Sequence, residues 1–222
     1  MGIFALSTLL VAGAGIYIFS KVFPNIQPGS KKVQADLKEM KAQLAAKVGD
    51  LVPMGTKDLE LLAAEEEERK VKKGFTTSVR GTLTTIFHEP VVLFSYKKYI
   101  STSGKDAVLY AKTARYEYFY WIKSKGTKVV IDNSLLGNLE NGEILYGGKP
   151  NRMIARLNRD EEEYMPVIIQ GREVGSITKA LPSKGESLST RAFGFVVDDL
   201  SDQERAILMA LTLYELIMRQ ID

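Results

Sequence analysis

The last element of the chain constrains its fold most. Ser201 followed three residues later by Glu204 forms a capping-box pair, and the helix it opens is predicted to run over 201–221. Along it Ile207, Leu208, Met209, Ala210, Leu211, Leu213, Tyr214, Leu216, Ile217 and Met218 cover most of the circumference, leaving Arg205, Thr212, Glu215 and Arg219 on one narrow stripe. A helix apolar nearly all round is buried, either in a protein core or in lipid. The apolar run 206–218 is shorter than the roughly 20 residues that a bilayer requires, and Glu215 would be costly there. The rest of the chain therefore has to enclose this helix.

What encloses it is read from the region 74–197, where β-branched and aromatic residues alternate with polar ones between Gly, Asn, Asp and Pro turn signals. Nine strands are expected, near 76–86, 91–100, 107–123, 128–131, 143–146, 152–157, 165–170, 173–179 and 191–197. Asn141-Gly142 and Gln170-Gly171-Arg172 are hairpin turns, and no long helical pattern separates the strands, which disfavours a parallel sheet. The fold class is mainly β, an antiparallel barrel or sandwich enclosing the C-terminal hydrophobic helix, within one domain over 74–222. One strand is dense in aromatics, and alternation puts Tyr110, Tyr116, Tyr118 and Tyr120 on one face and Phe119 and Trp121 on the other. Such a stripe reads as a barrel wall before it reads as a base-stacking or lipid-cradling surface.

The other end of the chain has a different character. Residues 1–20 carry no charged side chain, and Lys21 and Pro24 close the run. That length just reaches a bilayer span, so 1–24 is expected to be an uncleaved transmembrane anchor rather than a secretory signal, which usually has a basic residue before its apolar centre. Lys21, Lys31 and Lys32 follow the run and no Lys or Arg precedes it, which places the C-terminal domain on the cytoplasmic side, or on the matrix or stromal side in an organelle. The absence of cysteine fits a reducing compartment. Between anchor and domain, 25–73 reads as a helical linker. Ser30 is placed to cap a helix with Val33, Leu37, Met40 and Leu44 on one stripe, and Thr56 to cap a second that runs through Glu65, Glu66, Glu67 and Glu68 into Arg69, Lys70, Lys72 and Lys73. The stripe suits packing on the domain, or a short coiled-coil contact with a partner.

Two segments carry a family resemblance. Residues 167–179, Val-Ile-Ile-Gln-Gly-Arg-Glu-Val-Gly-Ser-Ile-Thr-Lys, look like a hairpin of the form G-x-x-x-G-x-I-x-K, and 193–218 look like a closing strand passing through an acidic turn into a central helix. Together they resemble the tubby C-terminal-like superfamily, which includes the phospholipid scramblases and the LURP-one-related proteins. The resemblance implies twelve strands closed around the helix, three more than the pattern supplies. It also implies a membrane-associated domain that binds lipid headgroups or a protein partner without catalysis. The chain departs from the scramblases in having no cysteine cluster for palmitoylation and in carrying its anchor at the N-terminus.

Catalytic chemistry is sparse. His88 is the single histidine and sits in the turn Ile86-Phe87-His88-Glu89-Pro90; no Walker loop, dinucleotide fingerprint or nucleophile elbow is present, and without cysteine a zinc-bound ubiquitin-ligase ring is excluded. The acidic cluster Asp198, Asp199 and Asp202, with Ser201 and Glu204, lies where scramblase-like proteins carry a proposed calcium segment. The same residues suit a helix N-cap, and the EF-hand glycine and spacing are missing. Lys97, Lys98, Lys123, Lys125 and Lys128 fall near strand ends and are candidates for lipid-headgroup binding. A net charge of +3 with well-mixed signs gives no reason to expect nucleic acid. The reading is thus a single-span, non-catalytic lipid- or protein-binding module with no cofactor, its partners being membrane lipids and membrane proteins. The alternative is an accessory structural subunit of a larger membrane complex, and a lipid-acting enzyme or scramblase is a third possibility.

Overall fold

The computed structural model describes residues 28–74, 76–101, 105–148, 152–179 and 190–221. The expected anchor over 1–24 lies outside them, and among the described residues no helix is long and apolar enough to cross a membrane. The chain opens with helix α1 (Ser30–Leu44) and two 3₁₀ turns (Ala45–Asp50 and Lys57–Leu61). Twelve strands follow: β1 (Leu62–Lys72), β2 (Thr77–Thr85), β3 (Pro90–Lys98), β4 (Ala107–Thr113), β5 (Glu117–Lys123), β6 (Gly126–Ile131), β7 (Ser134–Glu140), β8 (Ile144–Gly147), β9 (Arg152–Leu157), β10 (Tyr164–Ile169), β11 (Arg172–Thr178) and β12 (Phe193–Val196). Helix α2 (Asp202–Ile221) ends the chain.

The strands form one sheet in chain order, each antiparallel to the one before. Beside β12 the sheet meets β1: Ala64 N–H donates to the Thr190 carbonyl (2.8 Å), and Ala192 N–H to the Leu62 carbonyl (2.7 Å). The result is a nearly closed barrel, an architecture that leaves few strand edges unpaired. Its interior is filled by α2, of which Leu208, Leu213 and Ile217 are fully enclosed. Each buried aliphatic side chain of this kind contributes about 1.5–3 kcal/mol relative to an exposed one. The polar stripe is enclosed with partners for Thr212 and Glu215, while one Arg219 nitrogen, Nη2, is buried without one. Thr212 donates to the Leu208 carbonyl (2.8 Å), and Tyr120 reaches in from the wall to donate to the Ala210 carbonyl (2.7 Å).

Three strands beyond the expected nine account for the twelve. The run 107–123 is two strands, because Thr113, Ala114, Arg115 and Tyr116 make a turn in which the Thr113 hydroxyl accepts from Tyr116 N–H (2.8 Å). β7 was hidden behind an unread turn: Asp132 and Asn133 both take positive φ (46° and 66°), the two-residue hairpin geometry that matches strand twist. β1 was read as helix. Its Leu, Ala, Glu and Arg residues favour helix intrinsically, but β2 pairs along one side and residues 190–192 pair with Leu62, Ala63 and Ala64 on the other, which gives the backbone partners in a strand. The linker over 25–73 is therefore helical only in its first part, and the barrel begins at Leu62.

Because consecutive strands are antiparallel, the connections alternate between the two ends of the barrel. Helix α2 starts at the end carrying the β4–β5 and β10–β11 connections, where Asp202 pairs with Arg115 and Asp199 with Arg172. It finishes at the end carrying the β7–β8, β9–β10 and β11–β12 connections, where Arg159 holds Glu215 (2.5 Å) and Arg219 donates to the Thr178 carbonyl (2.8 Å). We call these the entry end and the exit end.

Helix α1 lies outside the barrel, on β3 and β4. Val33, Met40 and Leu44 are buried there with Leu93, Tyr99, Val108 and Tyr110, so of the two expectations for the apolar stripe it is packing on the chain's own domain that is found. Tyr110 belongs to this outer cluster, contrary to the face read from alternation. It stands opposite Phe119 across β4 and β5, whereas Tyr118 and Tyr120 point into the barrel. The residue preceding α1 is Gly29, and no side chain caps the helix, so Ser30 is its first residue rather than its cap.

Candidate functional site

The exit end gathers lysines on one half of its rim, where Asp106 follows Lys105 on the β3–β4 connection. A cleft of about 350 Å³ opens there between the β3–β4, β5–β6 and β7–β8 connections. Lys98, Lys105 and Lys123 line it with Ser124, Thr127 and Asn141, and Tyr214 and Met218 of α2 form an apolar wall. Lys98 is the last residue of β3 and Lys123 the last of β5, both exposed, so the hairpin geometry aligns their side chains along the same rim. The β5–β6 turn is kept tight by Gly126, whose φ of 133° suits glycine. Lys125 is exposed on that turn. This arrangement brings lysine side chains to a cleft with an apolar wall, the Lys123 ammonium lying against the Trp121 ring at its outer edge, which suits an anionic group attached to an apolar body.

The five lysines singled out from sequence separate on inspection. Lys98 and Lys123 share the cleft, with Lys125 next to it. Lys128 faces outward on β6, and with Lys123 it flanks the ring of Trp121 (5.7 and 4.1 Å from the ring centre). Lys97 serves a structural purpose. Its ammonium donates to Asp36 (2.8 Å), which also accepts from Lys32 (2.7 Å) and from the Tyr99 hydroxyl (2.6 Å), and this carboxylate is only 2% exposed. Burial alone would raise the Asp36 pKa, but the three hydrogen bonds outweigh it and hold the carboxyl below its usual value. Burial and the same hydrogen bond push the Tyr99 hydroxyl up. Lys105 was missed, since only the placement of three hairpins side by side brings it to the cleft.

Beneath the cleft, Glu215 is buried and held from both sides by Arg159 and Arg219 (2.5 and 2.9 Å). Arg219 in the last turn also complements the helix dipole. Across the barrel the β9–β10 connection is acidic, with Asp160, Glu161, Glu162 and Glu163 all exposed. A larger groove of about 600 Å³ runs between α1 and β1 and β2, where Lys70, Lys72 and Arg80 stand with Glu39 and with the Asp36–Lys97 pair.

The acidic cluster sits at the opposite, entry end. Asp199 pairs with Arg172, Asp202 with both Arg115 and Arg205, and Glu204 with Ser201 in the expected capping box (Ser201 Oγ accepting from Glu204 N–H, 3.2 Å). Ser201 in turn donates from its hydroxyl and its N–H to the Glu204 carboxylate (2.7 and 2.9 Å), and these two bonds lower the Glu204 pKa. Asp198 is exposed, and among the described residues no group of three or more acidic, His or Cys side chains is arranged to hold a metal ion. His88 is exposed on the β2–β3 turn with its Nδ1 2.5 Å from Glu67, away from the cleft.

No family model, no curated protein and no solved structure matches the chain. The nearly closed twelve-strand antiparallel barrel around a C-terminal helix is consistent with a tubby-like fold.

Proposed function

We propose that this chain is a non-catalytic binding module, tethered to the inner face of a membrane by its apolar N-terminal segment, whose basic mouth receives the phosphate of an anionic lipid headgroup. The observation that carries the reading is the convergence of Lys98, Lys105 and Lys123 on one cleft walled by Tyr214 and Met218. Tubby-like membership, which the fold suits, adds support for a membrane-associated role. The alternative of an accessory subunit has less support, because the α1 stripe that would have docked a partner is buried against the barrel.

The test is vesicle flotation of residues 28–222. A lysine near an anionic surface contributes about 1 kcal/mol, so Lys98→Gln with Lys123→Gln should weaken binding to phosphatidylserine vesicles about 30-fold while leaving the fold intact. Equal binding to neutral and anionic vesicles, or binding to neither, would defeat the headgroup role.

A further inference from the structure

We infer that the exit end of the barrel faces the bilayer, with the β1–β6 half of its rim lying on an anionic lipid surface and the β9–β10 connection turned away from it. This rests on the membrane tether proposed above and assigns the surface that touches the membrane.

The polarity of α1 supplies the first argument. Asp36, in the first half of the helix, bonds to Lys97 and Tyr99 at the exit end of β3, and Lys41 further along bonds to Glu117 at the entry end of β5. The helix thus runs from exit end to entry end, and its start at Ser30, about 9 Å before Asp36 along the axis, is at the exit end. Seven residues, 21–27, separate the uncharged segment from Pro28, a reach of about 25 Å fully extended. A nine-residue strand such as β3 is itself about 30 Å long. Turning the entry end to the membrane would demand more tether than the sequence provides between these points, whereas the exit end needs almost none.

Attachment of α1 is also firm. The buried Asp36 network and the cluster around Val33 and Tyr99 fix the helix to the barrel, so the tether direction becomes a property of the whole domain.

Charge supplies an independent argument. Lys72 and Lys73 end the β1 side of the rim, and Lys98, Lys105, Lys123 and Lys125 follow on the next two hairpins, outnumbering Asp106 on the β3–β4 connection. Helix α1 packs on β3 and β4, in the middle of this basic half, while the acidic β9–β10 connection is six strands away in a twelve-strand barrel, on the far side. The basic half is therefore the half nearest the tether. Trp121, partly exposed beside Lys123 and Lys128, adds a residue type suited to the headgroup level.

The chain has no cysteine, so single labels can be introduced without other changes. Full-length Ser124→Cys on the β5–β6 turn, Phe87→Cys on the β2–β3 turn and Glu162→Cys on the acidic connection would each carry a fluorophore. They would be reconstituted into vesicles of phosphatidylcholine with or without phosphatidylserine, containing a lipid-borne quencher. With phosphatidylserine, quenching should be several-fold stronger at position 124 than at 87, with 162 between them or as weak as 87. Quenching at 87 equal to or above that at 124 would overturn the orientation, even if residues 28–222 still float with anionic vesicles. Quenching at 124 that is the same without phosphatidylserine would keep the orientation and count against headgroup binding. No quenching at any position in vesicles shown to carry the chain would overturn the inference together with its premise.

Discussion

The polar part of the attachment of α1 to the barrel converges on one side chain, and replacing it gives a calculable outcome. Asp36→Ala removes the acceptor shared by Lys32, Lys97 and Tyr99. Lys32 has a side chain 31% exposed and returns to water, so its i,i+4 pair counts for about 0.3–0.5 kcal/mol. Lys97 is 16% exposed and regains solvent only in part, while the Tyr99 hydroxyl, in a residue 3% exposed, is left without an acceptor at about 1–3 kcal/mol. The sum is about 3 kcal/mol, at the lower edge of what breaking a buried ion pair costs. For a domain of this size it lowers the midpoint of thermal unfolding by about 6–12 °C. Asp36→Asn, which still accepts from Tyr99, should lose roughly half as much. The assay is thermal unfolding of residues 28–222 followed by circular dichroism and by the fluorescence of Trp121, the single tryptophan, which packs against the α1 cluster and reports its release. The pH dependence follows from the same contacts. A carboxyl held below its usual 3.8 contributes stability that is complete above that value and is lost as pH falls through its lower folded value. The wild-type chain should therefore lose the advantage it holds over Asp36→Asn only below about pH 4. If both variants melt within about 0.5 kcal/mol of wild type, the carboxylate is not what holds the helix.

Three further outcomes are expected. Gly137→Ala would place a Cβ 2.0 Å from the Tyr146 carbonyl oxygen, so β7 and β8 must separate; it should cost about 3 kcal/mol in urea unfolding, whereas Gly29→Ala, with nothing within 4 Å, should be nearly silent. Tyr120→Phe deletes the bond to the Ala210 carbonyl, which keeps its helical partner, and should lower the thermal midpoint by about 2–4 °C for about 1 kcal/mol. Glu66 is the converse of Asp36. Burial raises its pKa more than Arg69 lowers it, and one of its carboxylate oxygens is buried without a partner, so its charge opposes folding increasingly as pH rises past 4.5. Glu66→Gln should be at least as stable as wild type at neutral pH, and a clear fall in its melting midpoint would contradict this reading.

Local patterns that repeat within a few residues were legible. The capping box at Ser201 and Glu204, the hairpin turns at Asn141-Gly142 and Gln170-Gly171, and the β-branched and aromatic runs of β2, β3 and β9 to β11 all depend on neighbours close in sequence. Errors arose where a distant segment outvoted local preference. Leu62, Ala63, Ala64 and the four glutamates after them favour helix until β2 and residues 190–192 offer two edges to pair with. Of the five lysines chosen for headgroup contact, nothing local distinguishes Lys97 from Lys98, since adjacent strand residues point to opposite faces and only the position of α1 reveals which of them meets Asp36.

The sequence by itself determined that the final helix must be enclosed and that an antiparallel β-domain encloses it, because a side chain's need to leave water is its own property and periodicity reveals which face carries it. Tertiary structure decided which twelve segments make the nearly closed barrel and that the α1 stripe is covered by the chain's own sheet rather than by a partner. It also decided that Lys98, Lys105 and Lys123 share one cleft at the end where α1 begins. Those facts depend on which distant groups come within hydrogen-bonding or Coulombic reach, and that distance is set by the packing of the whole chain.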